Sequence, residues 1–133
     1  MNEVVTKFGP VLGRCMVALI FLLSGIGKIS AFQGTAGYIA SKGVPMAEVA
    51  LVITIAIEIG GALMLILGWK ARLGAAALFL WLIPVSLMIH NFWDMSGQEY
   101  MINRIMFLKN VAIMGAMLYI MAYGSGRYSL DRK

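Results

Sequence analysis

Charged side chains inside otherwise apolar stretches are the residues of this chain that could do chemistry. Glu58 is the clearest of them, because it is the only charged residue between Val49 and Trp69. A charged side chain at the centre of a membrane-spanning helix costs roughly 2.5–3.5 kcal/mol to insert. A carboxylate in such a place therefore needs a partner or a function. We expect Glu58 to carry protons or to bind a ligand, and the alternative is a structural ion pair.

Arg14 is the predicted ion-pair partner of Glu58. It lies inside the first apolar stretch, and its long side chain can reach toward the middle of the membrane. Glu58 lies about 14 Å from the end of its own stretch at Leu67, which is close to the midplane. A pair between the guanidinium and the carboxylate would relieve the cost of desolvating both charges. If Glu58 belongs to a structural ion pair, the sequence thus predicts Arg14 as its partner.

Five further polar residues are expected on the opposite side of the membrane from Arg14. They lie at or near the ends of three apolar stretches: Lys28, His90, Asn91, Lys109 and Asn110. Together with Glu58 they predict one outward-opening cavity that binds a ligand, with Glu58 and His90 as the proton-linked candidates. Two simpler interpretations stay open. Lysines at such depths also extend to the headgroup region, and a His–Asn pair at a helix end is often only a hydrogen-bonding pair.

The composition indicates a membrane protein. Of the 133 residues, 61% are hydrophobic and 13% are charged, against roughly 45–50% and about 25% in soluble domains. We predict an all-α fold, a four-helix transmembrane bundle with short loops that forms one domain over residues 1–133. The predicted helices cover residues 10–29, 45–67, 71–92 and 104–123. The linker at 30–44 is apolar enough to lie in the membrane interface, and a short helix is predicted within it.

Basic residues predict the orientation of the chain in the membrane. Of the 11 lysines and arginines, seven are expected on the side of the chain termini and four on the other side. The seven are Lys7, Arg14, Lys70, Arg72, Arg127, Arg132 and Lys133, and the four are Lys28, Lys42, Arg104 and Lys109. Because cytoplasmic segments carry an excess of Lys and Arg, both termini are predicted to lie in the cytoplasm. The net charge of +5 is spread over segment ends, which argues against nucleic-acid binding.

This chain lacks the residues that several kinds of chemistry require. Cys15 is the only cysteine, so an intramolecular dithiol relay is excluded and Cys15 is expected to pack within the first helix. His90 and one buried carboxylate are too few strong ligands for a metal site, and none is predicted. No flavin fingerprint or haem-ligand pair is present, so electron transfer would need a partner protein. The first apolar stretch is longer than a signal-peptide core and is interpreted as a mature helix.

Four segments of the chain, in this order, resemble the DoxX family of small bacterial inner-membrane proteins. They are GRCMVALIFLLSGIGKISAFQGTAGYIASKGVP, IEIGGALMLILGW, HNFWDM and FLKNVAIMGAMLYIMAYGSGRYSLDRK. The likeness is greatest to members with an H-x-x-W-D-M segment before the fourth helix. The resemblance implies a four-helix inner-membrane protein whose family signature residues are Arg14, Gly25, Lys28, Gly34, Pro45, Glu58, Gly61, His90, Lys109, Asn110 and Asp131. It also implies a link to redox chemistry, since the family is named after a subunit of a thiosulfate:quinone oxidoreductase.

Three functions are compatible with these residues. The first is an accessory or quinone- or lipid-binding subunit of a redox-linked membrane complex, which contacts the bilayer and a soluble or membrane redox partner. Quinone is then the candidate cofactor, and the chain is at most one subunit of an oxidoreductase. The second function is a non-enzymatic membrane scaffold whose charges hold the bundle together. The third is a small transporter, which would have to be a homo-oligomer because four helices enclose little space.

Overall fold

The computed structural model describes residues 3–131 as five α-helices and one 3-10 turn. In chain order these are α1 (Glu3–Ser30), α2 (Phe32–Ser41), α3 (Ala47–Leu67), α4 (Ala71–Met88), the 3-10 turn (Phe92–Asp94) and α5 (Gly97–Tyr123). Four segments are long and apolar enough to span a membrane: α1, α3, α4 with the 3-10 turn, and α5. The all-α, four-span prediction is therefore confirmed. Two of the counted basic residues, Arg132 and Lys133, lie outside the described residues.

Three of the predicted helix bounds are wrong. Helix α1 begins at Glu3, so Pro10, the predicted first residue, lies inside the helix. Helix α5 begins at Gly97 rather than at Arg104, and α4 ends at Met88, before its predicted bound. Pro10 is predicted as a helix start because proline suits a first helical turn, and Arg104 because the segment before it is polar. Backbone hydrogen bonds set the observed bounds instead: in α1 and α5 they extend the helix beyond its predicted start, and in α4 they end before the predicted bound.

Helix α3 lies at the centre of the assembly. It packs against α1 on one side and α4 on the other, while α5 packs against α4 and only touches α1. Helix α2 folds back against α3. Successive spans run in opposite directions, so one end of the assembly carries the start of α1, the α3–α4 turn and the segment that follows α5, and we call it the terminal end. The other end, which carries α2 and the 3-10 turn, is called the linker end.

Small residues allow the helices on both sides of α3 to approach closely. A Cβ atom on Gly61 would lie 2.7 Å from Cγ of Leu78 in α4, and one on Gly25 would lie 2.5 Å from Cγ1 of Ile59. Both distances are shorter than van der Waals contact, so these glycines set the separation of the helices. Buried apolar residues fill the core around them: Ala18, Phe21, Ala62, Leu65, Ala71, Ala75, Leu78, Leu82 and Met117.

Aromatic side chains pack at the linker end. Phe92 lies edge-to-face with Trp93, Tyr100 and Phe107, with ring centroids 5.4, 5.7 and 5.4 Å apart. This cluster joins the 3-10 turn to α5. It therefore holds in place the segment that immediately precedes the turn, which contains His90.

Candidate functional site

The carboxylate of Glu58 pairs with Lys28 of α1. Nζ of Lys28 lies 2.8 Å from Oε1 of Glu58, and the hydroxyl of Ser24 donates a 3.1 Å hydrogen bond to Oε2. The same ammonium donates to Oγ of Ser24 at 2.5 Å, so the three side chains form a closed ring of hydrogen bonds. Glu58 is only 8% exposed. The ammonium therefore offsets part of the cost of burying its charge.

Two features of the sequence bring these side chains together. Ser24 and Lys28 are four residues apart, so they lie on one face of α1. Gly25 lies between them, and a Cβ atom on it would lie 3.6 Å from Cβ of Glu58. Because Gly25 has no side chain, α1 comes close enough to α3 for the lysine ammonium to reach the carboxylate.

Arg14 does not pair with Glu58, and that predicted ion pair is wrong. Its guanidinium donates from Nη1 to the backbone carbonyls of Leu65 at 2.5 Å and Ile66 at 3.3 Å, and from Nη2 to that of Tyr128 at 2.6 Å. Glu58 precedes Leu65 by seven residues in α3, a distance of about 10 Å along the helix. The last carbonyls of α3 have no helical partners, so they accept hydrogen bonds from the cation that lies at their own depth.

Asp131 completes a second polar group, which we call the terminal-end cluster and define as Arg14, Ser125 and Asp131. The carboxylate of Asp131 accepts hydrogen bonds from the backbone N–H groups of Lys70 at 2.7 Å and Ala71 at 2.9 Å, and from the hydroxyl of Ser125 at 2.9 Å. A carboxylate at a helix N-terminus satisfies N–H groups that have no helical partner and interacts favourably with the helix dipole. The cluster thus ties α1 and the end of the chain to the α3–α4 turn.

A cavity of about 320 Å³ lies beside the Lys28–Glu58 pair, in the half of the assembly nearer the linker end. Three of the predicted ligand-binding residues line it, namely Lys28, Glu58 and His90. The rest of the lining comes mainly from α2, α3 and α4: Thr35, Tyr38, Ile39, Val44, Ala50, Thr54, Trp81, Leu82, Pro84, Val85, Met88 and Ile89. Most of these are apolar. A ligand in this cavity would meet polar groups at only a few points, as in most small-molecule sites.

The hydrogen bond made by His90 assigns different roles to its two ring nitrogens. Nδ1 of His90 lies 2.9 Å from Oδ1 of Asn103, and Nδ2 of the same amide donates to the carbonyl of Glu99 at 3.0 Å. Because the amide nitrogen of Asn103 donates to the carbonyl of Glu99, its amide oxygen faces His90 and accepts a hydrogen bond from Nδ1–H. Nε2 of the neutral ring is then a hydrogen-bond acceptor.

The other three predicted ligand-binding residues do not line the cavity. Nδ2 of Asn91 donates to Oδ2 of Asp94 at 3.3 Å, beside the 3-10 turn. The ammonium of Lys109 lies 3.3 Å from the sulfur of a methionine one turn earlier in α5. Asn110 is 5% exposed and donates to Oγ of Ser86 at 3.1 Å, which joins α5 to α4.

Sequence reasoning missed four polar residues around the site. Ser24 bonds to both members of the ion pair, and its four-residue spacing from Lys28 is a signal that could have identified it. Thr54 and Trp81 line the cavity, and Asn103 bonds to His90. No signal in one sequence distinguishes these three from residues that face lipid, because the helices they lie on are apolar on most sides.

Comparison with known proteins identifies the family of this chain. The DoxX family profile matches residues 9–91, a segment that contains Arg14, the Lys28–Glu58 pair and His90. The chain belongs to the DoxX family. No solved structure matches this DoxX-family chain.

Two inner-membrane proteins resemble this DoxX-family chain over nearly its whole length. It is 37% identical to inner membrane protein YphA of Escherichia coli (strain K12), over 92% of this chain and 87% of that protein. It is 32% identical to inner membrane protein YqjF of the same strain, over 93% of this chain and 90% of that protein. A Surfeit locus protein 4 homolog of Schizosaccharomyces pombe is 27% identical over 73% of this chain and 32% of that protein. With its four apolar spans, the chain is a multi-pass inner-membrane protein.

Proposed function

We propose that this DoxX-family protein is a subunit that binds a small, neutral, largely apolar molecule, a quinone or a lipid, for a redox-linked membrane complex. The observation that carries the proposal is the position of the Lys28–Glu58 pair in the wall of a cavity of about 320 Å³. An ion pair with a purely structural role needs no cavity beside it. Here either member of the pair is placed to bond to a polar atom of a molecule in the cavity.

The size and the charge of the cavity favour a neutral ligand. Its volume lies near the low end of the roughly 300–1,000 Å³ that is typical of small-molecule sites. The charges of Lys28 and Glu58 sum to zero, and the lining around them is mostly apolar. An anion in this place would be repelled by the carboxylate and would compete for the only ammonium of the pair. The arrangement thus supports a quinone ring or a lipid better than the cargo of an anion transporter.

Quinone reduction needs both protons and electrons, and here they come from different proteins. Reduction of a quinone to a quinol takes up two electrons and two protons. Glu58, Lys28 and Ser24 form the proton-linked group beside the cavity. Cys15 is the only cysteine of the sequence, so a dithiol within the chain cannot supply the electrons. We assign them to a soluble or membrane partner protein that carries its own redox cofactor.

A structural scaffold is the second candidate function, and one observation favours it. Lys28, Ser24 and Glu58 satisfy one another, so they can hold α1 against α3 without any ligand. A scaffold would use the pair for stability alone, and the cavity would bind nothing. The two functions therefore differ in ligand binding, which can be measured directly.

Binding of a short-chain quinone to the purified protein in lipid nanodiscs tests the proposal. We expect the quinone to raise the Tm of the native protein, and Glu58→Gln and Lys28→Met each to raise its Kd about tenfold or more, the loss expected for a hydrogen bond to a charged group. Glu48→Gln is the matched control, because it removes an exposed carboxylate from the same helix. A native protein that binds no quinone, or variants that bind it as well as the native protein, would leave the scaffold as the function.

We also propose that both termini lie in the cytoplasm, which places the linker end on the periplasmic side. The excess of basic residues at the terminal end supports this orientation. Labelling with a membrane-impermeant maleimide in a Cys15→Ser background tests it. Gln33→Cys in α2 should react in intact cells and Arg127→Cys only after lysis, and the opposite pattern would reverse the orientation.

A further inference from the structure

Trp81 has a buried hydrogen-bond donor that the protein leaves unsatisfied. Trp81 lines the cavity, and its Nε1–H is buried with no hydrogen-bond partner among residues 3–131. Two other buried polar atoms of this part of the chain share that property, Nε of Arg14 and Oδ1 of Asn91. Neither of those residues lines this cavity. Trp81 is the one of the three that lines this cavity, and because neighbouring atoms cover its Nε1, a molecule in the cavity reaches this donor only when the indole or its neighbours shift.

The depth of Trp81 in the membrane excludes the usual partners of a tryptophan. Tryptophans of membrane proteins are enriched at the interface, where the indole N–H bonds to water or headgroups. Trp81 lies ten residues into α4, about 15 Å from the start of that helix at the terminal end. Glu58 lies nine residues from the end of α3, about 14 Å from the same end. Trp81 is thus at mid-depth, level with the carboxylate, where lipid tails offer no acceptor and an unsatisfied N–H costs free energy.

We propose that Trp81 is the residue that determines which ligand this cavity accepts, and that its indole N–H donates a hydrogen bond to a carbonyl oxygen of that ligand. The inference rests on the proposed function, since it requires a molecule in the cavity, and it adds the chemical group that is recognised. The indole nitrogen only donates, so its partner must be an acceptor. A hydrocarbon chain offers none, which makes a conjugated carbonyl compound a better ligand than a lipid tail.

The placement of a second donor supports a ligand with two carbonyl groups. Lys28 belongs to α1 and Trp81 to α4, and these helices pack on different sides of α3. Donors from two helices suit a flat ring whose carbonyl oxygens lie on opposite edges. The apolar residues that line the rest of the cavity suit the ring and its alkyl substituents. A substituted 1,4-benzoquinone has this distribution of acceptors and apolar surface.

Two probes of the same shape test the inference. Tetramethyl-1,4-benzoquinone and 1,2,4,5-tetramethylbenzene share a six-membered ring and four methyl groups, and only the first has carbonyl oxygens. The Kd of each is measured in nanodiscs, with empty nanodiscs subtracted, for the native protein, Trp81→Phe and Trp69→Phe. We expect Trp81→Phe to raise the Kd of the quinone roughly 2- to 10-fold, the loss of one neutral hydrogen bond, and to leave that of the hydrocarbon unchanged. Trp69→Phe, at the exposed α3–α4 turn, should change neither.

The possible outcomes separate this inference from the proposed function. A native protein that binds neither probe overturns both. A quinone that binds the native protein and Trp81→Phe equally well, but Glu58→Gln more weakly, leaves the proposed function standing and overturns the role of Trp81. Since Phe removes an unsatisfied buried donor, we expect the Tm of the ligand-free variant to be no lower than that of the native protein.

Fluorescence gives a second measurement that does not depend on the stability of a Trp81 variant. The chain has three tryptophans, so Trp69→Phe with Trp93→Phe leaves Trp81 as the only one. Titration with tetramethyl-1,4-benzoquinone should then quench the emission and saturate at the Kd measured by binding. Emission that follows only the non-saturating quenching seen with free tryptophan in empty nanodiscs would overturn the inference.

Discussion

The terminal-end cluster and the Lys28–Glu58 pair differ in what satisfies their charges. Arg14 is held by the last carbonyls of α3, and Asp131 by the first N–H groups of α4. Those partners cannot move unless a helix end unwinds. Lys28 and Glu58 are held by each other and by Ser24, and a cavity lies beside them. A charge that bonds to helix ends connects helices and stabilises the fold. A charge that bonds to another side chain can exchange that partner for a ligand.

Removal of Arg14 should have the largest effect on stability. Arg14→Met leaves the carbonyls of Leu65, Ile66 and Tyr128 without their donor. We expect the free energy of unfolding to fall by about 3 kcal/mol or more, since the hydrogen bonds of a buried charged group are lost. Thermal unfolding in nanodiscs measures this, with Arg72→Met, an exposed arginine in the first turn of α4, as the control. A stable Arg14→Met variant would remove the distinction between the two regions.

A side chain added between α1 and α3 should lower both the stability of the protein and its affinity for quinone. A Cβ atom on Gly25 would lie 2.5 Å from Cγ1 of Ile59, so Gly25→Ala pushes the two helices apart. We expect a loss of about 1–3 kcal/mol in the free energy of unfolding, as for other overpacked sites. Quinone affinity should fall as well, because Lys28 moves away from Glu58. Gly27→Ala is the matched control on the same helix, since a Cβ atom there meets nothing within 4 Å; equal effects of both substitutions would contradict the account.

Loss of the charge on Asp131 should affect stability alone and by a smaller amount. Asp131→Asn keeps the shape of the side chain but removes the negative charge from the N-terminus of α4. We expect the free energy of unfolding to fall by about 0.5–2 kcal/mol. The Kd for quinone should stay the same in a titration of the folded variant. A change in Kd would show that the terminal-end cluster and the cavity are coupled.

The sequence was sufficient to identify Glu58 but not to identify its partner. Burial of Glu58 follows from the apolar residues around it, and the four spans follow from hydropathy and length. The predicted pairing with Arg14 is wrong because charged side chains are not the only partners of a buried cation. The carbonyls at the end of α3 are equally strong acceptors for a cation, and they lie closer to Arg14. Lys28, which was placed near the same cavity, is the cation that reaches Glu58.

The sequence also does not indicate which face of each helix packs against the core or lines the cavity. Lys109 was expected at the cavity because it lies too deep for lipid, but its ammonium contacts its own helix instead. Helix α5 is apolar on nearly all sides, so no periodic pattern indicates which side faces the core. Trp81 was overlooked for the same reason, and only its lining position and its unsatisfied N–H single it out.

The Lys28–Glu58 pair is expected to contribute more to ligand binding than to the stability of the fold. The double variant Lys28→Met with Glu58→Leu tests this most directly, because it replaces the pair with apolar residues of similar size. Such replacements are often neutral or stabilising, so we expect a free energy of unfolding within about 1 kcal/mol of the native value or above it. Quinone binding, measured on the same nanodisc sample, should be lost. A double variant that is several kcal/mol less stable, yet binds quinone with the native Kd, would contradict the account.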